Sequence, residues 1–177
     1  MKKYFSSLVL ISIFAMLLMS MNSKTAKDNL LSQADLMTNS LISKDFKVFL
    51  KYNSPVIIEL MGGEEAAVDM LSKQMAQINI LSIDLSDPSE IITFNEELQA
   101  TMTQDVVVEM PQGKIKNRST LIGISSDNGE NWIFIDAQGQ PLEQLKTYFP
   151  NLSPDLELLP RSQPEIIYDE PAEKIDE

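Results

Sequence analysis

Glu59 is the residue whose neighbours best suit it to acid–base chemistry. It stands in an apolar run with Val56, Ile57, Ile58, Leu60 and Met61. Burial there would raise a carboxyl pKa toward the range of a general base. The plainer alternative puts Glu59 on the solvent side of an amphipathic turn. Phenols and carboxylates that could assist stand at Tyr52, Tyr148, Glu97, Asp105 and Asp136. Asp105 lies among strand residues and reads as facing solvent or pairing locally. Arg118 is the only arginine on a predicted strand; it could meet an acidic ligand or close a cross-strand ion pair. Trp132 could line a pocket or pack over its own turn. No residue is assigned a catalytic or metal-binding role, and no cofactor is expected. Tyr52, Glu59, Arg118 and Trp132 are the candidate ligand-binding residues.

Composition narrows the chemistry further. The 177 residues contain no His and no Cys. Cys/His zinc, haem and iron–sulfur sites are excluded, as are disulfides, Cys nucleophiles and mechanisms with a His base. There are 26 acidic and 14 basic side chains, for a formal charge of −12. Such a chain repels a phosphate backbone, so nucleic acid is not expected as a partner. A hydrophobic content of 44% with 6 Gly and 9 Pro indicates a globular chain.

The sharpest local motif runs from Ser125 to Trp132. Ser125, Asp127, Gly129 and Trp132 fit S-x-D-x-G-x-x-W and resemble the Asp-box hairpin of sialidase-type propellers. Asp127 can accept amide bonds from its own loop, Gly129 can take a positive φ, and the indole can fold over the turn. A propeller needs ~4–8 four-stranded blades, far more strand than this chain holds. The motif therefore reads as a turn. Calcium at Asp127-Asn128 would lack EF-hand ligand spacing. Arg118 and Arg161 are the only arginines, a count that argues against an arginine clamp for carboxylates.

The elements that position these residues are legible from periodicity. Lys2 and Lys3 precede a twelve-residue apolar run, Leu8 to Met19. Its length suits a secretory signal better than a membrane span, which needs ~20 residues. Residues 1–23 are read as a signal peptide, and export to the periplasm or outside the cell is expected. The alternative is an uncleaved anchor over residues 4–22, the one route to a membrane. Without Cys, lipoprotein attachment is impossible.

Leu30, Ala34, Met37 and Leu41 mark a helix over Lys27–Ile42. Phe46, Phe49 and Leu50 mark a second. Ser54-Pro55 starts a third, with Ser54 as cap, ending at Gly62. Ala67, Met70, Leu71 and Met75 give a fourth over Glu64–Gln77, their methionines read as packing. Beyond Ile78 the period shifts toward 2. Strands are expected at Ile78–Leu85, Ile91–Phe94, Leu98–Met110, Lys114–Ser126 and Trp132–Ile135, and a short helix at Leu142–Tyr148. With Gln112-Gly113 as the hairpin loop, Glu109 would face Lys116. The chain is expected to fold as one domain over 24–160, followed by an acidic, disordered tail over 161–177.

Packed helices followed by a long antiparallel meander resemble the NTF2-like, or cystatin-like, α+β cone over roughly Ala26 to Pro160. The run from Phe46 to Pro55 followed by Met61-Gly62-Gly63 is similar to a motif of small exported NTF2-like proteins from Bacteroidetes. So are Leu121 to Asp127 with Gly129, and Trp132 to Asp136. The resemblance implies α+β architecture with N-terminal helices on a curved antiparallel sheet and a cavity between them. Relatives use that cavity for binding, for dehydration, or for isomerisation with a carboxylate base, and some serve only to dimerise. Fold alone does not choose among these uses. The first expectation is a non-catalytic module holding a small apolar or amphipathic ligand. The second is a homodimerising envelope module, suggested by Leu121, Ile124, Ile133 and Ile135, which are apolar on both strand parities. The third is a small isomerase or lyase using Glu59.

Overall fold

Helix α1 (Ala26–Ile42) opens with a reciprocal cap. The Asp28 amide donates to Thr25 Oγ1, and the Thr25 amide donates back to Asp28 Oδ2, both at 3.1 Å. Two otherwise orphaned donors are thereby satisfied. The structure is a computed structural model that describes residues 25–110 and 113–167. The expected signal segment lies outside the described residues. Leu30, Ala34 and Met37 form the buried stripe of α1, and Leu41 is half-buried. Helix α2 (Phe46–Lys51) starts at Asp45, whose carboxylate accepts the Val48 amide, and buries Phe46 and Leu50.

Two helical expectations change. Ser54 precedes α3 (Pro55–Leu60), but its hydroxyl makes no capping bond; its carbonyl accepts from Ile57 and Ile58 instead. No residue of α3 is buried, and Leu60 is 68% exposed. Gly62 ends it with φ 92°. Helix α4 (Glu64–Gln74) is shorter than expected. Of its supposed core face, Ala67 is buried, Leu71 and Met75 only partly, and Met70 is exposed. The methionines that fill the core are Met37 and Met102.

A curved, unclosed antiparallel sheet follows. Its long hairpin is β3 (Glu97–Met110) and β4 (Gly113–Ser125). The other edge of β3 carries β1 (Asn79–Leu85) and β2 (Ile92–Phe94). The other edge of β4 carries β5 (Ile133–Asp136) and β6 (Glu165–Ile167). Strand β6, exposed throughout, lies in the stretch expected to be disordered. A bulge between Ile80 and Ser82 lets Leu81 fall out of the β1–β3 ladder.

The hairpin register also differs. Met110 pairs with Gly113, so Glu109 faces Lys114, and Lys116 faces Val107. The slip of two residues keeps every side chain on its face. It sets Asp105 opposite Arg118, which donates to both carboxylate oxygens at 2.6 and 2.7 Å. Lys116 adds a contact at 2.9 Å. A forked three-charge contact replaces the single Glu109–Lys116 pair assumed from sequence.

Each sheet face has its own core. On one, α1 packs Leu30, Ala34 and Met37 against Ala100, Met102, Leu121, Trp132 and Phe134. On the other, Ile122, Ile124 and Ile135 meet Leu145 of helix α5 (Leu142–Leu145), then Leu152 and Leu156. Gln99 locks this second layer in place: Nε2 donates to the Asn151 carbonyl and Oε1 accepts the Ser153 amide. Of the residues that suggested a partner, Leu121 on one sheet face and Ile124 and Ile135 on the other are thus buried within one chain. That cover removes the sequence-level reason to expect a partner sheet.

Candidate functional site

The two strands that flank β4 on its outer edge leave a gap. Strand β5 covers Leu121–Ile124 and β6 covers Lys114–Lys116. Residues 117–120 between them meet two irregular segments instead. The Ala137 amide donates to the Thr120 carbonyl, the Leu159 amide to Thr120 Oγ1, and Ser162 Oγ to the Arg118 carbonyl. Here a groove of about 470 Å³ opens between the C-terminal end of α1, the sheet, and residues 161–164. Leu41, Ile83, Val106 and Pro164 give it an apolar part. Gln104, Asn117, Ser119, Asp136 and Arg161 give it a polar part. A smaller recess of about 60 Å³ continues inward to Met37, Phe49, Leu121 and Phe134, sharing Leu41, Ile83, Gln104 and Asp136 with the groove.

Gln104 and Asp136 set the polarity of this floor. Gln104 lies on the same strand parity as Met102 and Val106, a polar side chain within an apolar stripe. Its Nε2 donates to Asp136 Oδ2 at 3.1 Å and to Ser119 Oγ at 3.3 Å. Asp136 Oδ1 accepts the Gln138 amide at 2.9 Å. The carboxylate is therefore held by donors from two elements. A second depression of about 390 Å³ lies on the far side of Gly139 and Arg161. It is lined mainly by leucines and prolines and lacks this polar set.

The four residues singled out from sequence do not converge. Arg118 reaches the groove, but its guanidinium is committed to Asp105 on the opposite sheet face, since Gln104 and Asp105 are consecutive strand residues. The Arg118 guanidinium beside Asp105, helped by Lys116, holds the carboxyl down at about 2. Tyr52 is half-buried against the α1-side core, and its carbonyl accepts the Phe134 amide at 2.7 Å. Its neighbours Phe49 and Asn53 line the inner recess, whereas Tyr52 does not. Glu59 is exposed on α3, away from the groove, so the burial that made it a candidate base is missing. Trp132 is 1% exposed and belongs to the core.

The Asp box explains that burial. Ser125 Oγ takes the Gly129 amide and donates to Asp127 Oδ1. Asp127 also accepts the Asn131 backbone and side-chain amides at 2.8 and 2.7 Å, bonds that hold its carboxyl below the usual carboxylate range. Trp132 Nε1 donates to the Gly129 carbonyl. Helix α1 clips the loop from outside: Asn29 donates to the Gly129 carbonyl, and Gln33 bonds both the Glu130 carbonyl and the Trp132 amide. The motif fastens the first helix to the sheet.

Sequence reasoning missed Gln104, Arg161, Ile83 and Val106. Gln104 had a signal, a polar residue on an otherwise apolar strand parity. Arg161 had none, because it reaches the groove only through the path of the chain after α5. Among the described residues, no acidic cluster could hold a metal ion and no helix is long and apolar enough to cross a membrane. Comparison with known proteins found no matching family model, curated protein or solved structure.

Proposed function

We propose that this chain is an exported, non-catalytic binding module of NTF2-like plan that holds a small apolar or amphipathic ligand in the groove beside α1. The groove carries this reading: its volume falls within the ~300–1,000 Å³ typical of small-molecule sites, and its walls mix apolar side chains with a few fixed polar ones. Helices packed on one face of a curved antiparallel sheet support the NTF2-like plan. The positively charged start and apolar run of the first residues support export. Asp136, the only carboxylate in the groove lining among the described residues, already accepts bonds from Gln104 and Gln138, which favours binding over proton transfer.

Native mass spectrometry of the protein taken from its own envelope fraction tests the proposal. A reproducible non-protein adduct that disappears on denaturation is expected, and Val106→Glu should abolish it. A clean protein mass, or an adduct that Val106→Glu leaves intact, would refute a ligand in this groove. The denatured mass separately reports whether residues 1–23 have been removed.

A further inference from the structure

Resting on the groove as a ligand site, we propose that its occupant is a single-chain carboxylic acid, a fatty acid, whose head group is recognised by Arg161. The chain has two arginines, and both line this one groove although 43 positions separate them in the sequence. Arg118 is taken: Asp105 engages it through two charge-assisted bonds on the opposite face. Arg161 is not. Among the described residues, no carboxylate lies within ion-pair distance of it. A guanidinium without an ion-pair partner among the described residues, at a groove whose lining is part apolar and part polar, presents the forked donor geometry that matches a carboxylate.

The placement of Arg161 is built into the backbone. The segment carrying it is tied on either side, at the Leu159 amide and at Ser162 Oγ. It crosses the turn after β5, where Gln138 and Gly139 adopt φ values of 50° and 70°. A Cβ at Gly139 would stand 2.5 Å from the Arg161 Cα, so only glycine permits both this turn and this approach. The apolar wall of Leu41, Ile83 and Val106 would take the acyl chain, with the inner recess beyond it. Asp136 repels an anion, and this orients the ligand with its carboxylate at the Arg161 rim and its tail inward. A groove of this volume suits one chain better than a two-chain lipid.

Titration calorimetry on the full chain, with amphiphiles kept below their micelle-forming concentrations, tests the assignment. The probes are dodecanoate, dodecan-1-ol and dodecyltrimethylammonium, which differ chiefly in head-group charge. Dodecanoate should bind roughly three- to tenfold more tightly than the alcohol, the range for an ion pair at a half-open site. Arg161→Gln should erase that preference without changing the alcohol's affinity, and Arg161→Lys should keep part of it. Arg161 is exposed, so neither substitution threatens the core. Equal binding of acid and alcohol, indifferent to Arg161→Gln but lost in Val106→Glu, would overturn the head-group assignment and leave the groove reading standing. Preference for the ammonium probe would also overturn it and point to Asp136. Binding of no probe would overturn both readings.

Discussion

Asp105 meets two cationic side chains across the sheet, and replacing it with Asn should weaken the fold in a pH-dependent way. Its carboxyl sits at about 2 in the folded chain, against an ordinary 3.8. That difference corresponds to about 2.4 kcal/mol at neutral pH. Solvent reduces it, because the Arg118 and Lys116 side chains are 54% and 30% exposed. About 1 kcal/mol should remain. A carboxyl whose pKa is lowered by folding stabilises the native state fully above its unfolded value. The effect fades as pH falls through the folded value. Urea unfolding of the wild type and Asp105→Asn should therefore show the full gap at pH 7, about half of it at pH 3, and little near pH 2. A gap that stays constant between pH 7 and pH 3, or no gap at pH 7, would refute this account of the triad.

Gly123→Ala adds a methyl group 2.7 Å from Leu30 Cδ1 and 3.3 Å from Trp132 Cε3, under α1. It should cost about 1–2 kcal/mol by thermal unfolding, the Leu30 tip yielding part of the space. Gln99→Leu leaves the Asn151 carbonyl and the Ser153 amide without their partner. A loss of about 2 kcal/mol is expected, with faster proteolysis within residues 142–158; unchanged cleavage would mean that Gln99 does not hold the second layer. Asp127→Ala removes the acceptor for Asn131 and Ser125 and should cost about 1 kcal/mol. By carbon-detected NMR the wild-type Asp127 carboxyl should titrate below the ordinary carboxylate range. Its contribution should accordingly be present at neutral pH and decline only as pH falls through that lowered value.

Most local patterns read from the chain alone held, the Ser54 side-chain cap being an exception. The Leu30–Ala34–Met37 stripe, the left-handed stop at Gly62 and the Asp-box turn depend on neighbours a few positions away. So did the α+β architecture, since the change of period after Ile78 reflects the side-chain geometry of helices and strands. Residues judged by long-range surroundings fared differently. Glu59 has apolar neighbours in sequence, yet α3 buries none of its residues, so those neighbours do not desolvate it. Trp132 packs over its own turn, one of the two readings open from sequence, and Gln33 and Asn29 of α1 fasten that turn to the core.

Composition by itself settled what the chain lacks: with no His and no Cys, whole classes of chemistry have no side chain to perform them. Periodicity marked the main helices and strands, though not β6 or the early end of α4. The tertiary structure alone decided the register that joins Asp105 to Arg118 and the second layer that covers the far sheet face. It alone decided that Gln104, Asp136 and Arg161 share one groove. Composition and period depend on residue type and short spacing, and these are written in the chain. Which side chains meet across the sheet depends on a two-residue slip in one hairpin and on the path of the chain after α5. No local preference determines either.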